Sequence, residues 1–261
     1  MSALSATYRS RQKVMGYPVD LVDLASALEI IETAWRSDKG LQVETLNAEM
    51  VVAAQQDQRL DRIIRHAHLI VPDGAGVVWA LRLDGHAVDR LPGIELAQQA
   101  LTLAAAKNVP VSLLGGKPAV IERLKEVLPR LHPGLKLVSS HDGYFSSEQE
   151  EDLVDSIALQ EPKLLLIALG VPKQEFFIDQ WRDKFPQAVV IGVGGSFDVW
   201  AGTVKRAPQA FQRMHLEWLY RLLREPWRFK RMASTLPKFF LQVLGDRLKN
   251  SLRAKRKSGG P

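Results

Sequence analysis

A carboxylate held between proline and glycine, Pro72-Asp73-Gly74, closes the apolar run His68 to Val71. At the end of a strand such a carboxylate is placed to take a proton from a substrate hydroxyl, and equally to cap a helix beginning near Ala75. Position alone does not separate the two roles. Other apolar runs end on polar or glycine-rich stretches: Thr45-Leu46-Asn47, Gly115-Gly116, Gly143-Tyr144-Phe145, Gly170 to Lys173-Gln174-Glu175, and Gly192-Val193-Gly194-Gly195-Ser196-Phe197-Asp198. The last could turn bare N–H groups of Gly194 to Ser196 toward a phosphate, or be a plain structural turn. It is not a dinucleotide fingerprint, because Phe197 stands where G-x-G-x-x-G needs its third glycine, and no Gly-Lys-Ser/Thr completes a P-loop. A nicotinamide oxidoreductase and an NTPase therefore lose ground. Asp198 likewise breaks a G-x-S-x-G elbow around Ser196, which disfavours an esterase.

The chain contains no cysteine, so thiolate zinc sites, cysteine nucleophiles and disulfides are excluded. Its six histidines are scattered without H-E-x-x-H, and there is no Asp-x-Asp to hold a divalent cation against a diphosphate. The expectation is a site without metal or cofactor, in which charge on a departing diphosphate falls to Arg, Lys and backbone N–H groups. The absence of cysteine suits a reducing compartment. No apolar run approaches the roughly 18 residues needed to span a bilayer, and the start lacks the apolar stretch of a signal peptide. The expected address is cytoplasmic.

These residues need a scaffold that brings strand ends together. With 261 residues, 46% hydrophobic and 25% charged, the chain is long enough for one large α/β domain, alone or with an appendage. Apolar runs at Gln42 to Leu46, His68 to Val71, Val111 to Leu114, Leu135 to Val138, Leu164 to Leu169 and Ala188 to Val193 alternate with helical patterns. Leu24, Ala27, Leu28, Ile31 and Trp35 mark one face of a helix that Asp23 can cap. The pattern predicts an α/β fold over residues 1–204: a Rossmann-like, mostly parallel sheet wrapped by helices.

From Pro208 the texture is helical only, punctuated by Pro226 and Pro237. Residues 205–261 carry 15 Lys+Arg against 3 Asp+Glu, a net +12, whereas residues 1–204 sum to −6. This basic all-helical appendage implies a polyanionic partner, an anionic membrane face or nucleic acid. Arg221, Arg224, Arg228 and Arg231 recur three and four apart among Trp218, Tyr220, Trp227 and Phe229. That mixture suits anionic headgroups, and an ordinary packed helical hairpin equally. After Pro237, Phe240, Val243, Leu244, Leu248 and Leu252 share one face of a basic amphipathic helix.

Eight ordered segments together resemble the WecG/TagA/CpsF family of bacterial glycosyltransferases. They are TLNAEMV from Thr45, AHLIVPDGAGVVWA from Ala67, DRLPGIEL from Asp89, SLLGGKP from Ser112, HDGYF from His141, LIALGVPKQE from Leu166, GVGGSFDVWAGTVKRAP from Gly192 and LEWLYRLLREPWRF from Leu216. The resemblance implies an inverting, metal-independent transfer of a sugar, of N-acetylmannosamine type or a related hexose, from a UDP donor to a polyprenyl-diphosphate-linked sugar. It places the base at Asp73 and polar site residues at Thr45, Asn47, Arg90 and Gln174. Tyr144 and Asp198 fall near the nucleotide base. Beside this, chemistry suggests the Gly194-Gly195-Ser196 backbone as donors to the diphosphate, and Lys173 is a further candidate for substrate binding. Arg221, Arg228 and Arg231 fall in an appendage that meets the anionic inner leaflet as a lid. The partners so implied are the UDP-sugar, the lipid-linked acceptor and the membrane face, not nucleic acid, with homo-oligomerisation left open. The competing class, a non-catalytic module binding a membrane surface or nucleic acid, rests on the +12 segment alone.

Overall fold

In the computed structural model, which describes residues 10–209, 211, 217, 220 and 235–248, the chain opens on an antiparallel hairpin of β1 (Ser10–Val14) and β2 (Tyr17–Leu21). The sequence did not announce it, because SRQKV is polar and reads as an unstructured start. Its two-residue turn, Met15-Gly16, has both φ angles positive, the backbone that matches the twist of paired strands. The hairpin braces β4 (Leu69–Pro72) through Asp20, whose fully buried carboxylate accepts the Ile70 N–H at 2.9 Å and pairs with Arg11 at 2.7 Å.

The six apolar runs are six parallel strands. Besides β4 these are β3 (Leu41–Leu46), β5 (Pro110–Gly115), β6 (Lys136–His141), β7 (Leu164–Ala168) and β8 (Val189–Gly192), in the order β4-β3-β8-β7-β5-β6. A parallel sheet must be covered on both faces, and β7 shows it. Leu164, Leu166 and Ala168 point into a layer with α1 (Leu24–Arg36), α5 (Gly93–Ala106), α6 (Pro118–Leu131) and α9 (Ser196–Trp200). Leu165 and Ile167 point the other way, toward α7 (Ser147–Ala158) and α8 (Lys173–Trp181). On that second face α2 (Ala48–Ala54), α3 (Gln58–His66) and α4 (Ala75–Leu83) cover Leu46 and Ile70. As its spacing predicts, α1 is capped by Asp23, which accepts the Ser26 N–H at 2.8 Å, a contact worth about 1 kcal/mol.

Residues 235–248 are helical and join the core beside α4. The buried stripe differs from the expected one. Phe239 (0% exposed) and Val243 face inward, whereas Phe240, Leu244 and Leu248 are exposed, and Leu252 lies outside the described residues. The shape of α4 explains the choice: Gly76 and Ala48 leave a gap that the Phe239 ring fills, 3.2 Å from where a Gly76 Cβ would stand. Phe240 instead meets the Trp79 ring edge-on at 4.8 Å. Arg247 pairs with Asp84 at 2.9 Å and donates to the Leu83 carbonyl, so its charge sits at the negative end of α4. Among the described residues no helix is long and apolar enough to cross a membrane.

Candidate functional site

Because the six strands run parallel, their carboxyl ends open on one edge, where ligands bind in such sheets. Every predicted site residue that the structure describes lies along this edge. At the β4 end, Asp73 donates its backbone N–H to the Leu46 and Val71 carbonyls at 3.1 Å, and Gly74 donates to Leu46 at 3.2 Å. A Cβ on Gly74 would stand 2.8 Å from the Asn47 Cβ, so only glycine lets the two strand ends close together. The N-cap of α4 is Gly74, with no side-chain cap bond. Half-buried Asp73 therefore stands one residue before the N-cap position and does not occupy it.

Arg90 and Thr45 are drawn to the same corner. Leu91 donates to the Pro72 carbonyl at 2.9 Å, and Gly93 packs so closely on Thr45 that a Cβ would lie 2.8 Å from its Cγ2. Asn47 caps α2, its Oδ1 accepting the Met50 N–H at 3.0 Å, which leaves its amide nitrogen as the atom able to donate to a ligand. Thr45, Asn47, Asp73 and Arg90 thus form one group at the β3 and β4 ends.

The β7 and β8 ends hold a second group. Lys173 is exposed at the first position of α8, and Gln174 beside it is buried. Gln174 Oε1 accepts the Gly194 N–H at 3.1 Å, and its Nε2 donates to Glu175 Oε1 at 2.8 Å. Ser196 donates its hydroxyl to the Val193 carbonyl at 2.7 Å and its N–H to the same oxygen at 3.1 Å. The expected cradle of three N–H groups is therefore narrower than the sequence suggests. Gly194 and Ser196 are engaged within the turn, and Gly195 stands exposed at its tip. Asp198 lies in the first turn of α9, where Oδ1 accepts the Thr203 hydroxyl at 3.3 Å. Tyr144 is 70% exposed beyond β6, on the opposite side of the edge from Asp73. Gly143, the residue before Tyr144, folds back over the β5 end, donating to the Gly116 carbonyl at 2.9 Å.

Sequence reasoning missed two constellations. Glu44, in the middle of β3, and Glu175 are both buried, and Glu44 accepts from Gln42 Nε2 at 2.9 Å. Burial pushes both carboxyls well above their ordinary range, and the proximity of Glu175 adds to the effect on Glu44. The signal was present as an acid inside the apolar run QVETL, a placement rare without a partner. The second constellation crosses 127 residues, from Arg90 to Glu217. Glu217 also meets Arg206 at 3.3 Å, and Arg206 pairs with Glu95. Burial opposes the charge of Glu217, but Arg90 and Arg206 outweigh it and hold the carboxyl below its usual range. Arg90 is therefore tied to the C-terminal segment.

Arg221, Arg224, Arg228 and Arg231 lie outside the described residues. Among the described residues no group of three His, Asp or Glu side chains is placed to hold a metal ion.

Residues 12–253 match the family described as "Glycosyl transferase WecG/TagA/CpsF family". The N-acetylglucosaminyldiphosphoundecaprenol N-acetyl-beta-D-mannosaminyltransferase of Bacillus spizizenii is 41% identical over 230 residues, 87% of this chain and 88% of its own. The protein of the same description from Bacillus subtilis is 39% identical over 227 residues, 86% of this chain and 87% of its own.

Proposed function

The chain belongs to the WecG/TagA/CpsF family of glycosyl transferases, and on that premise we propose that it transfers an N-acetylmannosamine-type hexose from a UDP donor to a polyprenyl-diphosphate-linked sugar, with inversion. The donor and acceptor classes draw support from the descriptions of the two Bacillus relatives. The observation that carries the chemistry is the position of Asp73, at the β4 end in one corner with Thr45, Asn47 and Arg90.

Inversion needs the acceptor hydroxyl to attack the anomeric carbon opposite the leaving diphosphate. Asp73 takes the hydroxyl proton as the new bond forms and UDP departs with the bonding pair. Negative charge grows on the diphosphate as its bond breaks, so donors aimed there stabilise the transition state more than the ground state. Lys173, the Gly195 N–H and an arginine of the C-terminal segment are the groups assigned to it. Tyr144 and Asp198 are assigned to the uracil end. No metal is assigned, in keeping with a sequence that has neither cysteine nor Asp-x-Asp.

A panel of UDP-sugars, assayed for UDP release with a short-chain lipid-diphosphate sugar, tests this reading. Release with an N-acetylmannosamine-type donor, sustained in excess EDTA, is expected. Silence with every donor overturns the transferase reading, and loss in EDTA restored by magnesium or manganese overturns its metal-free part.

Residues 205–261, with their +12 charge, are proposed to dock on the anionic inner leaflet, with residues 1–204 carrying the donor site. Leu241, Leu244 and Leu248 support this, being exposed at 71%, 48% and 69% on a helix that also carries Lys238. Each basic residue near such a surface adds about 1 kcal/mol, weakened by salt. The full chain should sediment with anionic vesicles at low salt and be released at high salt. Equal sedimentation with neutral vesicles would remove the electrostatic part, and no sedimentation with either would remove the membrane.

A further inference from the structure

Glu44 and Glu175 lie beneath the site, and among the described residues neither is paired with Arg or Lys. Arg59, on α3 against α8, is engaged instead with Asp179 at 3.4 Å and the Phe176 carbonyl at 3.0 Å. His68, on the β4 side, accepts the Gln42 N–H through Nδ1. Burying acids without a cationic partner costs stability that an apolar core would not incur.

Their geometry suggests a task. A glutamine amide can face either way, and the wrong way would set Gln174 Nε2 against the Gly194 N–H, donor against donor. Glu175 Oε1 accepts from that Nε2 and thereby turns Oε1 of Gln174 toward Gly194. Gly194 sits at φ +49, a left-handed conformation that this bond secures. The fit is close: a Cβ on Gly192 would meet Gln174 Cδ at 2.9 Å. We propose that Glu175 is a positioning residue: it fixes the Gln174 amide, which holds Gly194 and so shapes the turn that presents Gly195 to a nucleotide diphosphate. The ligand in this proposal rests on the UDP-donor reading, whereas the hydrogen-bond relay does not.

The test uses the full chain with Glu175→Met, which removes charge and acceptor, and Glu175→Gln, which keeps an acceptor oxygen. Gly194 amide hydrogen exchange, UDP affinity by calorimetry and the thermal midpoint are measured for each. The Met variant leaves Gln174 Nε2 without its acceptor and should melt lower than the wild type by a few degrees, exchange Gly194 about tenfold faster and bind UDP about tenfold more weakly, the effect of roughly one hydrogen bond. The Gln variant should retain both properties. Gly192→Ala, which crowds the Gln174 amide from the other side, should repeat the two losses and serves if the Met variant does not fold. Wild-type Gly194 exchange in Glu175→Met or Gly192→Ala overturns the positioning role, as does a Gln variant no better than Met. A wild type that fails to bind UDP overturns the donor reading instead, whatever Gly194 does.

Discussion

Replacing Asp73 by Asn is expected to lower turnover by about 10² to 10⁴ and to leave UDP affinity nearly unchanged, the signature of a lost general base. The substitution is almost isosteric, and several features that shape the β4 end are made by the backbone and by Gly74. The Asp73 N–H bonds to Leu46 and Val71 are backbone bonds, Gly74 is the cap of α4, and the close approach to Asn47 is made by Gly74. An Asn at this position can still accept a hydrogen bond from the acceptor hydroxyl, but it cannot take the proton. Turnover under saturating donor and acceptor, together with UDP binding by calorimetry, separates the two contributions. Near-normal turnover in a folded Asn variant would leave Asp73 a structural residue of the strand end and move the search for a base to another carboxylate on the edge.

The sheet and its binding edge were legible because a strand covered on both faces reads as an unbroken apolar run, and LLLIA of β7 is such a run. The ends of those runs, once the strands are parallel, must share an edge, so Thr45, Asp73, Gln174 and Gly194 could be grouped before any coordinate was known. What the pattern hides is pairing across long sequence separations. Asp20 looks like a polar residue of a polar start until its carboxylate is seen to satisfy the Ile70 N–H, 50 residues away. Arg90 enters from the sequence only as a polar site residue, and nothing there shows that Glu217 meets it from 127 residues later. The hydrogen bonds of Gln174 and Ser196 show a second limit, since glycines and hydroxyls after a strand suggest an open cradle while the fold spends two of three N–H groups on itself. The helix at 235–248 is the third case. Residues 236, 239, 240, 243 and 244 lie on one broad apolar stripe, and only the gap at Gly76 and Ala48 decides which part of it turns inward.

That gap gives the C-terminal helix a role separable from any membrane contact. Phe239→Ala is expected to cost about 3 to 5 kcal/mol, because the ring is fully buried and its removal leaves a cavity that α4 cannot collapse to fill. For a domain of this size each kcal/mol lowers the thermal midpoint by roughly 2 to 4 °C, so a drop on the order of 10 °C should be measured. The loss should reach the chemistry as well. Gly76 lies in the first turn of α4, two residues after Gly74, and Ala48 directly follows Asn47, so the ring props both loops of the β3 and β4 corner. Turnover is expected to fall alongside the midpoint, with UDP release recovering at lower temperature. Leu241→Ala provides the contrast, since that side chain is 71% exposed and a surface change of this kind shifts stability within about ±0.5 kcal/mol. Its expected effect is on vesicle binding alone. If Phe239→Ala melts like the wild type, the helix is not held on α4 in solution; if Leu241→Ala destabilises as much as Phe239→Ala, the inward and outward faces have been assigned the wrong way round.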